Sequence, residues 1–400
     1  MDKKQIPIAE LRLGMYVTEL DRPWIETPFA FQGFPITSAD QIDEVKKHCE
    51  TVFIDLDRDA TGDDPRGVGG GKQGGIRGTV VYKEVTPVEQ ELVVAKEVYS
   101  AVEKGIQASL ESVRTTGELD PKPLTTAVGS MTRSIERNPD AMMLLFSIKQ
   151  KGGEEFNRAV DTSIHMTTFG RFLQFPGERL EMLGLAGLLL DIGKTKLPDA
   201  ILHKKDALTA EEYELTKAHV MHSVELIRAA PGLPKGLDEV VLQHHERQDG
   251  SGYPRGLRGR QITIDGAIAG LVNSYSALTS KRGYAEQESP SNALSKLHKV
   301  RGKLFHEALV EQFIQCIGIY PVGSTVELNT GEVGIVIAQN LVRRLQPRVM
   351  VVLDASWKPI KPQVILDLIK EPKATSEEPY RIRRTLPRDK LPINPEEFFL

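Results

Sequence analysis

The 400-residue chain has only two cysteines, Cys49 and Cys316, far apart and in no metal-like spacing. That excludes a disulfide framework or a cysteine-held metal cluster and suits a reducing compartment. Long apolar runs are also missing. The longest, around residues 183–190, is far short of the roughly 20 residues a membrane-spanning helix needs. The start, MDKKQIPIAELRLGMYV, has basic residues but no continuous apolar segment, so it does not read as a signal peptide. Together these absences predict a cytoplasmic chain with no membrane span. Neither sign of charge dominates. A net charge of −4 and a pI near 6.2 argue against coating a nucleic-acid polymer, while leaving room for a local basic pocket. A phosphate loop is absent as well. Around Gly71-Lys72 the glycine required five residues earlier is Arg66, and Gln73 stands where Ser or Thr belongs.

The apolar content of 40% and charged content of 26% suit a globular protein. The length predicts two or three domains. Residues 1–60 read as a small α+β module, with strands at 15–17 and 52–55 and a helix over 38–49 capped by Ser38. Residues 61–85 form a tether, Gly-rich over TGDDPRGVGGGKQGGIRG. Residues 86–320 read as helical. A start at Thr86-Pro87 is followed by helix-period apolar residues over 86–115, 156–175 and 178–190. Thr209 and Glu212 form a capping box for a helix through His219, and a further helix spans 240–246. Residues 321–400 change character. Runs at 324–328, 333–338 and 349–353 are strand-like, and a Pro- and charge-rich tail follows from about Glu371. The fold class expected is mainly α, with a small α+β N-terminal module and a β-rich C-terminal one.

Candidate chemistry lies between Glu154 and Asn273. Asp191 closes an apolar helix in LLLDIGKTKLP, His219 follows in KAHVMH, and His244 and His245 are adjacent in HHERQDGSGYP. Imidazoles with a carboxylate suit Fe, Mn or Zn better than Ca or Mg. On a helix, neighbouring histidines point about 100° apart, enough to serve two metal positions. Single histidines such as His165, His203, His222 and His306 read as structural or surface residues. The run Asp249, Gly250, Gly252, Tyr253, Pro254 directly after a histidine pair is far more specific.

On LLLDIGKTKLPDAIL, HHERQDGSGYPRGLRG and NSYSALTSKRGY, the chain resembles the HD-GYP family, a branch of the HD phosphohydrolases. The segment IPIAELRLGMYVTELDRPWIETPFAFQGFPIT resembles the small domain of unknown function that often precedes it. The resemblance implies an all-helical core that hydrolyses cyclic di-GMP at a two- or three-metal centre. It places metal ligands at Glu154, Asp191, His219, His244 and His245. Lys194 would act beside Asp191 in catalysis. Substrate contacts would fall on Lys194, Asp249, Gly252, Tyr253, Pro254 and Arg282, with Arg255 and Arg258 further phosphate candidates.

Three expected ligands are replaced: Arg158 and Leu190 stand where the family has histidines, and Asn273 where it has aspartate. Leucine cannot coordinate, asparagine lacks the carboxylate charge, and arginine is a permanent cation. The expectation is that Arg158 takes the first metal's position and pairs with Asp191. The remaining ligands leave one divalent metal (Fe, Mn or Zn) or none. Three readings stand open at this point. The first is a degenerate regulator that binds cyclic di-GMP or docks protein partners of the signalling pathway. The second is an active phosphodiesterase with an atypical one- or two-metal site, and the third is a scaffold. The run GGEEF at residues 152–156 looks like a cyclase motif but sits in the wrong setting.

Overall fold

The computed structural model describes residues 3–22, 34–36, 39–55, 76–149, 153–202, 204, 206, 209–280, 287–340, 343–375 and 378–386. The chain divides into two compact units, residues 1–74 with 343–345, and residues 75–342 with 346–400. No described helix is long and apolar enough to cross a membrane.

The first unit is a small antiparallel sheet with one α-helix. Strands β1 (Lys3–Pro7), β2 (Tyr16–Leu20), β3 (Phe34–Pro35) and β4 (Thr51–Asp55) lie in the order β1-β4-β2-β3. Helix α1 (Ala39–His48) precedes β4. Gly14, at φ 93°, makes the left-handed turn into β2. A register shift between Val17 and Glu19 lets both Val17 and Leu20 face inward to join Ile6, Val45, Val52 and Ile54 in the core. Ser38, the expected cap of α1, the end of the module at residues 56–60 and residues 61–75 of the tether lie outside the described residues.

The second unit is mainly helical. It runs α2 (Val88–Thr116), α3 (Lys122–Arg137), α4 (Pro139–Ile148), α5 (Glu154–Phe172), α6 (Gly177–Leu189), α7 (Asp199–Leu202) and α8 (Ala210–Ala229). Then come α9 (Leu237–Gln243), α10 (Ile264–Thr279), α11 (Pro290–Lys299) and α12 (Glu307–Ile317). Five antiparallel strands follow, β5 (Thr325–Leu328), β6 (Val333–Ala338), β7 (Arg348–Leu353), β8 (Pro359–Asp367) and β9 (Ile382–Leu386), ordered β8-β7-β6-β5-β9.

The expected helix boundaries hold where caps are local and shift where they are not. The Thr209 capping box is present: the Glu212 N–H donates to Thr209 Oγ1 at 3.2 Å and the Thr209 N–H to Glu212 Oε2 at 2.7 Å. Its helix runs on to Ala229, so His219 sits mid-helix. Thr86 does not cap; α2 starts at Val88 after an uncapped Pro87. Helix α5 stops at Phe172 because Gln174 turns left-handed, at φ 64°, ahead of Pro176. Part of the expected tether is laid on the helical body. The Gly78 N–H donates to Leu173 O at 2.8 Å, and Tyr82 Oη–H to Phe175 O at 2.7 Å. The charged tail supplies β9, which pairs with β5 and sets Arg384 on buried Glu327 at 2.6 Å. Strand β6, every residue of it buried, is a central strand of its own sheet rather than a docking edge.

Helices α5 and α6 cross so closely that a Cβ on Gly187 would lie 2.5 Å from Ser163 Cα. At the start of α6, Arg179 pairs with Asp265 of α10 at 2.8 Å. Phe169, Tyr275 and Phe313 meet edge to face at 5.1 and 5.2 Å, joining α5, α10 and α12. This packing brings the end of α6 toward α8, α9 and the first half of α5.

Candidate metal centre

The residue after α6 sets the site. Leu190 caps the helix, fully buried, and Asp191 (φ −106°, ψ 9°) opens a 3-10 turn over Ile192–Lys196. That turn lies flat on α8: a Cβ on Gly193 would stand 2.2 Å from His219 O and 2.4 Å from Ser223 N. Only glycine allows this approach. Ser223 Oγ locks it, accepting from Gly193 N–H at 2.8 Å and donating to Leu190 O at 2.9 Å.

Asp191, His219, His244 and His245 each present one ligand atom within 4.8 Å of the others. The histidines are aimed by their backbones. Thr216 O receives His219 Nδ1 and Val241 O receives His244 Nδ1, each at 2.5 Å and each three residues earlier. With Nδ1–H donated, each Nε2 carries a lone pair toward the cluster. His219 Nε2 stands 3.2 Å and His244 Nε2 4.0 Å from Asp191 Oδ1. None of the three atoms is aligned for a hydrogen bond, and all are buried. Buried polar atoms left unpaired are costly, and a cation among them would satisfy all three.

The histidine pair departs from expectation. Helix α9 ends at Gln243, so His244 is its C-cap and His245 the next residue of the turn. Their rings lie 4.1 Å apart, and both belong to the one cluster rather than diverging. Burial, opposed only in part by Asp191, pushes His244 down to about 3. Burial and the neighbouring His244 take His245 well below the ordinary imidazole range. Both are neutral, as ligands must be.

The other Asp191 oxygen faces cations. Arg158 Nη2 bonds Oδ2, and Lys194 Nζ stands 3.1 Å from it. Burial alone would raise the carboxyl, but the Arg158 and Lys194 charges outweigh it and hold Asp191 well below the usual carboxylate range. The expected Arg158–Asp191 pair is therefore present. One carboxylate is split, with Oδ1 to imidazoles and Oδ2 to fixed charges. The Oδ1 side fits a metal ion by its orphaned donors. The Oδ2 side does not, since two cations already sit there.

Asn273 is buried on α10, one turn beyond Gly270, whose added Cβ would meet His244 O at 2.9 Å; it lies on the helix face turned to the cluster. Glu154 opens α5 one turn ahead of Arg158, but its side chain and Arg282 lie outside the described residues, as does His203. Asp249 serves its own turn, accepting from Ser251 N–H at 3.0 Å and Ser251 Oγ at 2.6 Å. Gly252 is pressed on the backbone after the pair, where a Cβ would lie 2.4 Å from His245 O. Tyr253 follows, stacked on His245 at 4.6 Å and joined to Pro254 by a cis peptide. Arg255 pairs with Glu239 at 3.0 Å, while Arg258 packs on Gly250. His165 is a buried partner of Asp161 at 2.9 Å, His222 faces Glu225, and His306 precedes α12.

Sequence reading missed two residues. Buried Glu246 accepts from Arg255 N–H at 2.7 Å and Leu257 N–H at 2.8 Å, pinning the loop after the histidine pair. Arg247 donates to His244 O at 3.2 Å and lies over the Phe305 ring. Their only sequence signal was adjacency to His244-His245.

Residues 142–309 match the HD domain family, and residues 3–124 match a domain of unknown function, DUF3391. A protein of Pseudomonas aeruginosa named as a cyclic di-GMP phosphodiesterase is 29% identical over 91% of this chain and 89% of its own length. A cyclic di-GMP phosphodiesterase of Thermotoga maritima is 40% identical, but over only 32% of this chain and 36% of its own length. A solved HDG"Y"P protein of Bdellovibrio bacteriovorus aligns over 78% of this chain and 98% of that one, with a TM-score of 0.46 and 14% identity, too loosely to transfer anything. The His/Asp cluster lies wholly within the first of the matched spans: the chain carries an HD domain, preceded in sequence by a DUF3391 domain.

Proposed function

We propose that this chain is a cyclic di-GMP-binding regulator whose HD site has lost catalysis. One observation carries the reading: the Arg158 guanidinium sits on Asp191 Oδ2, with the Lys194 ammonium beside it. A paired-metal centre stabilises attacking and leaving oxygens together. Here one half of that clamp is a fixed cation, which attracts a phosphate but supplies no nucleophile. Lys194 adds a second positive charge at the same oxygen. The pocket so built suits a phosphodiester anion bound and held. The similarity to proteins named as cyclic di-GMP phosphodiesterases supports that ligand.

A second reading rests on the orphaned Asp191 Oδ1, His219 Nε2 and His244 Nε2. These, with His245, would hold one divalent ion, Fe, Mn or Zn, supplying Lewis-acid activation. On that reading the chain is a slow one-metal phosphodiesterase.

The test reconstitutes purified protein anaerobically with Fe or Mn, incubates it with cyclic di-GMP and separates products by chromatography, with calorimetric titration in parallel. The regulator reading expects saturable binding and recovery of intact nucleotide. Linear dinucleotide or GMP that disappears in His244→Ala establishes the second reading instead. No binding at all overturns both.

A further inference from the structure

A line of ring contacts leads out of the cluster to the surface. His245 stacks on Tyr253, with centroids 4.6 Å apart and planes 23° from parallel. Lys217 Nζ lies 5.3 Å from the Tyr253 centroid and 5.0 Å from that of Tyr213. Lys217 is held there by Glu214 at 2.6 Å. Tyr213 and Lys217 are four residues apart on α8 and so share a face. Tyr213 ends the line at 49% exposure, and belongs to no buried apolar cluster among the described residues. The exposed Tyr213 face is set over an ammonium beside the site.

The electrostatics of the neighbourhood point to the same ligand chemistry. Lys194 and Arg158 are committed to Asp191, and Arg255 to Glu239. Lys217 is the described cation whose contacts run to aromatic faces on both sides. An ammonium between two rings, next to an anion-attracting pocket, suits a planar heteroaromatic group joined to a phosphate.

We propose that Tyr213, with Lys217 behind it, is a stacking shelf for one purine base of the nucleotide whose phosphate enters the Asp191 pocket. This rests on the binding reading above and adds a specificity-determining residue to it. The shelf selects an aromatic base, and the cluster selects the phosphate. Stacking is indifferent to the hydroxyl of Tyr213, so the π face is the part that matters.

The experiment titrates full-length wild type, Tyr213→Phe, Tyr213→Leu and Tyr213→Ala with cyclic di-GMP by calorimetry. Loss of one base–aromatic stack corresponds to a weakening of about fivefold or more in Kd. Tyr213→Leu and Tyr213→Ala are expected to show it and Tyr213→Phe to bind within twofold (about 0.4 kcal/mol) of wild type. Leucine keeps the apolar bulk, so weakening with leucine but not phenylalanine identifies the ring face rather than packing. Wild-type affinity in Tyr213→Leu or Tyr213→Ala overturns the shelf while leaving the binding reading intact. Equal weakening in Tyr213→Phe overturns it in favour of a hydroxyl contact. A wild type that binds no cyclic di-GMP overturns both.

Discussion

At the scale of single residues, Asp191 decides what the site can do. Its two oxygens look in opposite chemical directions, Oδ1 to His219 and His244 and Oδ2 to Arg158 and Lys194. Arg158 neutralises the partly buried carboxylate without metal, and Lys194 shares the same oxygen. The expected outcome of Arg158→His, Leu190→His and Asn273→Asp made together is a rise in bound Fe or Mn over wild type, read by elemental analysis of the purified protein. Unchanged metal content would mean that the pocket walls, and not these ligands, set the occupancy.

At the scale of elements, the decisive contact is the Ile192–Lys196 turn against α8. The turn carries Asp191 and α8 carries His219, so their spacing depends on Gly193 fitting where no side chain can. Gly193→Ala must push His219 and Ser223 backbone away or lift the turn. We expect a loss of about 1–3 kcal/mol in denaturant unfolding together with weaker metal and nucleotide binding. Full binding with only lower stability would show that the cluster tolerates the shift. The loop after α9 works the same way. Glu246 and Gly252 hold the backbone so that Tyr253 stacks on His245, which makes this motif a support for the imidazoles.

At the scale of the molecule, the helical body and the C-terminal sheet meet over a buried carboxylate. Asp140, in the first turn of α4, accepts from Gln339 N–H at 2.9 Å just past β6. Burial pushes it up to about 7; the Gln339 bond opposes this, nearby Glu84 adds to it, and Arg171 and Arg348 oppose it. The folded pKa lies above the unfolded one, so the folded state binds the extra proton. Its contribution is full below about pH 4 and is lost as pH rises through about 7. Asp140→Asn, which keeps an acceptor for Gln339, is therefore expected to flatten the fall in stability between about pH 4 and 7 that Asp140 predicts for wild type. Parallel stability curves for the two proteins would show that Asp140 does not titrate in that window.

Much of this protein is written locally. The Thr209–Glu212 capping box, the β5 to β7 runs and the order of small sheet, helices and second sheet follow from spacing that any segment carries by itself. So did the candidate ligands, because imidazoles and a carboxylate in those motifs have few other uses. What sequence left open was direction in space. The ends of α2 and α5 depend on where the chain docks, and the charged tail becomes a strand only because β5 offers an unpaired edge. The sequence raised the pairing of Arg158 with Asp191, but only the crossing of α5 and α6 puts them in reach. That His245 leaves the helix and reaches the cluster from the turn was decided by α9 ending at Gln243. Beyond that point backbone direction, set by tertiary contacts such as Glu246, replaces helical periodicity.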